Sequence, residues 1–329
     1  METYSNEEID TGILKKKVIG IIGYGNQGSA QAKCLRDAGF NVVVGAREKG
    51  DSWKIAEDDR FTVLPPEEVA AKADIVMLLT PDMAQKQVYD EHIKGNLKDG
   101  NTLYFSHGFN ITFGLIQPPP GVDVVMLAPK ATGSRLREAF LHEEGVPALL
   151  AVHQDASGKA LETALALAKA MLFTKKAVFQ CTFNQETYAN LFAEQAITVG
   201  GVASLMQAGF DTMTKNGIPP EVAYFECVEV FKLITDMIEK KGLKNMLYGI
   251  SSTASYGGAT RGKKVITKRT RENMQKVFDS ISSGEFTREW LQEHDSGMKE
   301  FKKALEKESS HELEKTGERL RPLLAPEED

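Results

Sequence analysis

The stretch "VIGIIGYGNQGSA", residues 18–30, decides the fold. Val18, Ile19, Ile21 and Ile22 make a short β-branched run that reads as a buried strand. It leads into Gly23, Gly25 and Gly28 in the G-x-G-x-x-G arrangement, and "SAQAKCLRDAG" then continues as a helix. The first glycine permits the tight turn and the second lets backbone approach a pyrophosphate. The third allows close helix packing, with phosphate on the helix N-terminus. The motif alone is weak evidence, but here a further strand, "NVVVGAR" (41–47), closes a strand-helix-strand unit around it. The loop Gly23, Tyr24, Gly25, Asn26, Gln27 and Gly28 is therefore expected to hold a dinucleotide.

The second strand ends "VVVGAREKGDSW", with no acid at its tip to take a ribose 2′-hydroxyl. Arg47, Lys49 and Ser52 can instead donate to a 2′-phosphate, which favours NADP. Glu48 and Asp51 act in the opposite sense and keep NAD open.

Outward from this unit, "ADIVMLLT", "TLYFSHG", "DVVMLAP" and "PALLAVHQ" alternate with helical stretches up to about Cys181. Continuous apolar strands separated by crossover helices imply a doubly wound parallel sheet covered on both faces. Past Cys181 long helical periodicities take over and no strand is evident. The expected organisation is a dinucleotide-binding domain over 1–182 and an all-α domain over 183–329. "TFNQ" (182–185) offers a capping box for the first helix of that domain. A later helix is expected to start at "PPE" (219–221) and stop near Gly242. The charged tail beyond Leu305 is expected to fray.

Composition excludes several classes of function. Of 329 residues 42 % are hydrophobic and the net charge is −6. No run approaches the roughly 20 apolar residues a membrane span needs, and an acidic chain is a poor general binder of nucleic acid. The segment "RGKKVITKRTR" (261–271) is basic only locally, a solvated loop or a closure over an anionic ligand. The polar N-terminus lacks the apolar core of a secretory signal. Three cysteines, an odd number with no CxxC spacing, fit reduced packing thiols in the cytoplasm.

Glu186, Asn190 and Glu194 recur every four residues at the start of the helical half, which puts them on one helix face. They belong to a longer set of motifs: "LYFSHGFNI", "MLAPKATGSRLRE", "GVPALLAVHQDASGKA", "ETYANLFAEQAITVGG", "PEVAYFECVEVFKLITDMI" and "NMLYGISSTASYGG". In that order and spacing, over essentially the whole chain, they resemble ketol-acid reductoisomerase, the acetohydroxyacid isomeroreductase of branched-chain amino acid synthesis. The resemblance implies one Rossmann domain, one knotted α-helical domain and a homodimer that shares its active site between chains. It also implies an alkyl shift on a substrate held by two Mg²⁺ ions, followed by reduction of the resulting 2-keto acid by NADPH.

Carried over residue by residue, the resemblance assigns active-site places to His107 and Lys130, a cofactor place to Gly108 and the substrate carboxylate to Ser251. The four metal-ligand positions of the family hold Asn190, Glu194, Glu226 and Val230 here, so two of four carboxylates are replaced. The neighbouring "AEYG" of the family reads "ASYG", with Ser255 at the acidic position, and Gly249 stands where the family has serine. Four carboxylates balance two divalent cations, whereas Glu194 and Glu226, aided by the neutral Asn190 oxygen, balance one at most. An alkyl migration between two oxygen-bearing carbons calls for stabilisation at both oxygens, while hydride delivery needs one electrophilic partner. The expectation is an NAD(P)H-dependent reductase in which reduction survives and isomerisation is weakened or lost. Glu194 and Glu226, in the apolar settings "LFAEQAI" and "AYFECVEVF", are expected to be buried. Two other readings stay compatible with the residues: a metal-independent reductase of another small keto or imine compound, and a non-catalytic nucleotide-binding protein.

Overall fold

The computed structural model describes residues 1–5 and 9–324. The chain divides into two compact units, residues 1–189 and 190–329. In the first, nine strands form one sheet: β1 (Thr3–Tyr4), β2 (Val18–Ile22), β3 (Asn41–Gly45), β4 (Thr62–Leu64), β5 (Ile75–Leu78), β6 (Thr102–Phe105), β7 (Asp123–Pro129), β8 (Ala148–Gln154) and β9 (Val178–Gln180). Around them run α1 (Asn26–Asp37), α2 (Asp51–Asp58), α3 (Pro66–Lys72), α4 (Asp82–Val88), α5 (Phe109–Thr112), α6 (Gly133–Leu141) and α7 (Ala160–Ala170). The spatial order is β1-β9-β8-β7-β6-β5-β2-β3-β4. All pairings from β4 through β2 to β7 are parallel. The order reverses at β2, and that switch point opens a crevice beyond the strand C-termini.

Alternation along each strand explains why the sheet is buried on both faces. Ile75 and Met77 pack into one apolar cluster with Leu35 and Leu136, whereas Val76 and Leu78 pack into the other with Val69 and Ile93. Each such side chain contributes roughly 1.5–3 kcal/mol by leaving water.

The sheet is not wholly parallel: β8 runs against β7, and β1 against β9. Lys130 N donates to Pro147 O at 2.9 Å, so the excursion through α6 begins and ends at the same edge of the sheet. A strand entered from the edge just left must run the other way. The two- and three-residue strands β1, β4 and β9 are too short to show a period in sequence.

The helix α8 (Phe183–Ala193) opens with the expected capping box. Gln185 N donates to Thr182 Oγ1 at 3.1 Å, and Thr182 N donates to Gln185 Oε1 at 3.0 Å. The second unit holds α9 (Gly200–Lys215), α10 (Pro220–Tyr224), α11 (Val230–Gly249), α12 (Ser252–Val265), α13 (Lys268–Ser282), α14 (Glu285–Asp295), α15 (Lys299–Ser309) and α16 (Glu312–Leu324). Among its described residues there is no strand. Pro219 and Pro220 start α10, and Gly242 at φ 77° interrupts α11, as the sequence leads one to expect. Two segments depart from α geometry by forming π-helix, Glu194–Thr198 and Phe225–Glu229. The tail does not fray from Leu305. It forms α15 and α16, because Leu313 and Leu320 pack against Phe210 and Tyr224. Residues 325–329 of that tail lie outside the described residues.

Candidate functional site

The glycine loop meets α1 at the crevice. Gly25 caps α1 without a side-chain hydrogen bond, so the first-turn N–H groups have no intrahelical acceptor and face an anion's place. The turn is tight: a Cβ on Gly28 would stand 1.9 Å from Gly23 O. A cleft of about 780 Å³ is lined by Gly23, Tyr24, Arg47, Ser52, Thr80 and His92, which places both sequence-expected ends of the cofactor in one opening. Lys49 stands beside it at φ 59° in a turn closed by Gly50 N donating to Arg47 O at 3.0 Å. Arg47 and Lys49 are exposed. Orphaned helix donors, a glycine cradle and these cations fit a phosphorylated dinucleotide.

Three loop residues expected at the cofactor spend their side chains elsewhere. Tyr24 OH donates to Asp59 Oδ2 at 2.8 Å, and Lys33 Nζ lies 2.7 Å from the same oxygen. Asn26 Oδ1 accepts from Gly133 N at 2.6 Å, and Gln27 Nε2 donates to Ala131 O at 2.9 Å.

The chemistry concentrates where β6 and β7 end. His107 follows β6, Lys130 follows β7, and the first turn of α8 aims Glu186 at both. Glu186 Oε2 lies 3.0 Å from His107 Nδ1 and accepts from Gly108 N at 3.2 Å, while Oε1 accepts from Lys130 Nζ at 3.1 Å. Only 2 % of the Glu186 side chain is exposed, against 38 % of Lys130. Burial works to raise the Glu186 pKa, but the hydrogen bond and charge of His107, with those of Lys130, outweigh it and hold the carboxyl below its ordinary range. Gly108 can only be glycine, since a Cβ there would lie 2.4 Å from Thr187 Oγ1 as α8 closes on the loop. Burial, reinforced by the Glu186 charge, pushes the nearby Cys181 thiol up to about 11. Beside the cluster lies a cavity of about 250 Å³ lined by Gln27, Thr80, Asp82, Ser106, His107 and Pro129. An ionised carboxylate fixed between an imidazole and an ammonium orients two donors toward a carbonyl or oxyanion and can relay a proton between them. The sequence placed Glu186 on a helix face with Asn190 and Glu194 but gave it no role; its signal was an acid in a helix first turn just after a sheet edge.

The second unit distributes the remaining residues differently. Asn190 Nδ2 donates to Glu194 Oε1 at 3.4 Å, a long bond between adjacent helical turns. Glu194 opens one π-helical segment and Glu226 lies in the other, and both are exposed rather than buried. Their apolar neighbours do not enclose them; Phe225 and Val230 are themselves 37 % and 40 % exposed. Ser251 caps α12, its Oγ accepting from Ala254 N at 3.2 Å. Among the described residues no three His, Cys, Asp or Glu side chains converge to hold a metal ion. Of the four positions to which the resemblance assigns metal ligands, Asn190 is an amide, Val230 a hydrocarbon, and Glu194 and Glu226 exposed acids.

Comparison with known proteins covers both units. Residues 13–177 match the model of the acetohydroxy acid isomeroreductase NADPH-binding domain, and residues 183–325 that of the ketol-acid reductoisomerase C-terminal domain. The chain is 49 % identical over 325 residues to a ketol-acid reductoisomerase (NADP(+)) of Methanopyrus kandleri, spanning 99 % of each. It is 46 % identical to a ketol-acid reductoisomerase (NAD(+)) of an uncultured archaeon, again over 99 % of each chain. The solved structure of an NADH-preferring ketol-acid reductoisomerase from an uncultured archaeon superposes with a TM-score of 0.95 at 46 % identity, covering 99 % of this chain and 100 % of that one. These full-length matches favour neither of the two alternative readings.

Proposed function

The chain belongs to the ketol-acid reductoisomerase family, and from that premise we propose how its residues divide the work. It is an NAD(P)H-dependent oxidoreductase acting on a small molecule. The N-terminal domain, taken as residues 1–182, binds the dinucleotide through Gly23, Gly25 and Gly28 at the pyrophosphate, with Tyr24, Asn26 and Gln27 shaping that loop and Gly108 beside it. Arg47, Lys49 and Ser52 meet a 2′-phosphate and favour NADP over NAD. The bound cofactor supplies a hydride. Lys130 and His107, locked by Glu186, polarise the acceptor carbonyl and return a proton to its oxygen. The helical domain, residues 183–329, contributes Ser251 for the substrate carboxylate and Glu194 and Glu226 for a cation or the substrate itself.

The observation that carries this reading is the buried Glu186 bridging His107 and Lys130 beside the cavity at the strand C-termini. The donors at 190, 194, 226 and 230 do not fit a pair of Mg²⁺ ions: two carboxylates cannot neutralise four positive charges, and Val230 has no ligand atom. Reduction is therefore retained and isomerisation weakened. The protein works as a homodimer, supported by exposed Leu233, Leu243, Tyr248, Tyr256 and Val265 on the helical unit. No helix among the described residues is long and apolar enough to cross a membrane. Three free cysteines support a cytoplasmic setting.

NADPH oxidation across a Mg²⁺ titration tests the division. The isomerised 2-keto acid, supplied directly, is turned over, whereas 2-acetolactate is turned over slowly at every Mg²⁺ level. Asn190→Asp with Val230→Glu raises the acetolactate rate at least about tenfold by restoring two metal-site charges. Brisk wild-type turnover of 2-acetolactate at ordinary Mg²⁺ overturns the proposal.

A further inference from the structure

Gln31 is fully buried in the second turn of α1, where an apolar side chain would pack without desolvating an amide. Both of its amide hydrogens and its oxygen are engaged. Its Nε2 donates to Gln27 Oε1 at 3.1 Å and to Ser106 Oγ at 2.9 Å, and its Oε1 accepts from Tyr104 OH at 2.8 Å. The amide orientation follows from chemistry. Ala131 O can only accept, so Gln27 must present its nitrogen there and its oxygen to Gln31. Gln31 then has to offer its nitrogen to Gln27, which leaves its oxygen for Tyr104. Tyr104 is itself fully buried and lies 3.2 Å from Leu127 O, within the sheet.

This network joins three places the chemistry needs. Gln27 belongs to the first turn of α1, at the pyrophosphate. Ser106 precedes His107, and Ala131 follows Lys130. We propose that Gln31 is a positioning residue for hydride transfer: through Gln27 and Ser106 it fixes the cofactor helix against the loops carrying His107 and Lys130, so that hydride donor and proton donors keep one mutual geometry. The proposal rests on the reductase reading above. Gln31 touches neither cofactor nor substrate. A buried network that engages both amide hydrogens and the amide oxygen holds one arrangement, whereas apolar packing tolerates small slides. Slides well under an ångström matter, since roughly 1 Å of misplacement can lower a rate about 100-fold.

The test must separate positioning from stability. Gln31→Met alone takes from the Tyr104 hydroxyl its shorter acceptor and leaves Leu127 O at 3.2 Å, so the informative protein is Gln31→Met with Tyr104→Phe, in which both ends of the Gln31–Tyr104 bond become apolar. With the full-length protein and the 2-keto acid as substrate, the expected result is a melting temperature within a few degrees of wild type and a KM for NADPH within about twofold. The expected kcat is about 10- to 100-fold lower. The primary deuterium effect with NADPH labelled at the transferred hydrogen becomes larger. Tyr104→Phe alone, which keeps both Gln31 donors engaged, loses less than about threefold in kcat. Independently of turnover, NADP⁺ binding shifts the imidazole resonances of His107 in the wild type and shifts them less in the double variant. A double variant with wild-type kcat and His107 response refutes the inference, as does one whose kcat falls only in step with its melting temperature. Wild-type protein that binds NADPH but reduces no 2-keto acid refutes instead the reductase reading, and the His107 response then decides the positioning claim alone.

Discussion

Glu186→Gln is the most informative single change, because it removes a charge while keeping the shape. Glu186 holds an imidazole at 3.0 Å, an ammonium at 3.1 Å and a backbone N–H at 3.2 Å with almost no access to water. Breaking a buried ion pair from one side typically costs about 3–5 kcal/mol. Two features reduce that figure here. Lys130 is more than a third exposed, so water takes up part of its charge, and the glutamine oxygen still accepts from Gly108. The net loss at pH 7 should be about 2–3 kcal/mol, which for a unit of this size is about 4–12 °C in melting temperature. The pH dependence carries the sign. The folded-state pKa of Glu186 lies below its ordinary value of 4.5, so its contribution is fully present above that value and disappears as pH falls through the folded pKa. Calorimetry of both proteins between neutral and strongly acid pH should show a gap that is constant near neutrality and closes below about pH 4.5. A variant as stable as wild type at pH 7, or a gap that persists undiminished in acid, would show that Glu186 is not held as an ionised partner of His107 and Lys130.

The exposed cations at the tip of β3 should set cofactor choice. Replacing Arg47 and Lys49 together by alanine removes two solvent-screened phosphate contacts worth about 1 kcal/mol each, so KM for NADPH should rise roughly 25-fold while KM for NADH moves less than twofold; parallel changes for both cofactors would move the 2′-phosphate away from these residues. Tyr24→Phe deletes the hydroxyl bond to Asp59, part of a knot that also includes Lys33. The loss should be about 1 kcal/mol, seen as a melting temperature lower by roughly 2–4 °C, and unchanged stability would make that bond a surface ornament.

Sequence made legible what repeats or what chemistry constrains tightly. The strand at 18–22, the glycine turn and the apolar runs of β5, β6 and β7 carry their own periodicity, and the capping box at Thr182 and Gln185 formed as its residue types require. Three things escaped because their causes lie outside any local window. The direction of β8 depends on where the excursion after Lys130 comes back to the sheet. The helicity of the tail depends on Leu313 and Leu320 finding Tyr224 nearly a hundred residues away. The π-helical segments at 194–198 and 225–229 change the angular step that a four-residue spacing assumes, so a helix face drawn with α geometry does not fix where Glu194 and Glu226 point. Gln31 escaped for another reason: an amide inside an amphipathic helix looks like an exposed position until three separate segments are folded around it.

The placement of these groups supports the proposed division between a reduction that is kept and an isomerisation that is weakened. The hydrogen bonds on which the proposed hydride side rests, from Gln31 through Ser106 and Ala131 to the Glu186 cluster, join residues within 1–189. Asn190 and Val230, at the positions where the resemblance implies carboxylates, belong to residues 190–329; Asn190 meets Glu194, and Val230 is partly open to water. Under the proposed division of work, an amide at 190 and a valine at 230 remove charge that only a metal pair requires. They leave Glu186 paired, its pKa depressed and the donors at 107 and 130 in place.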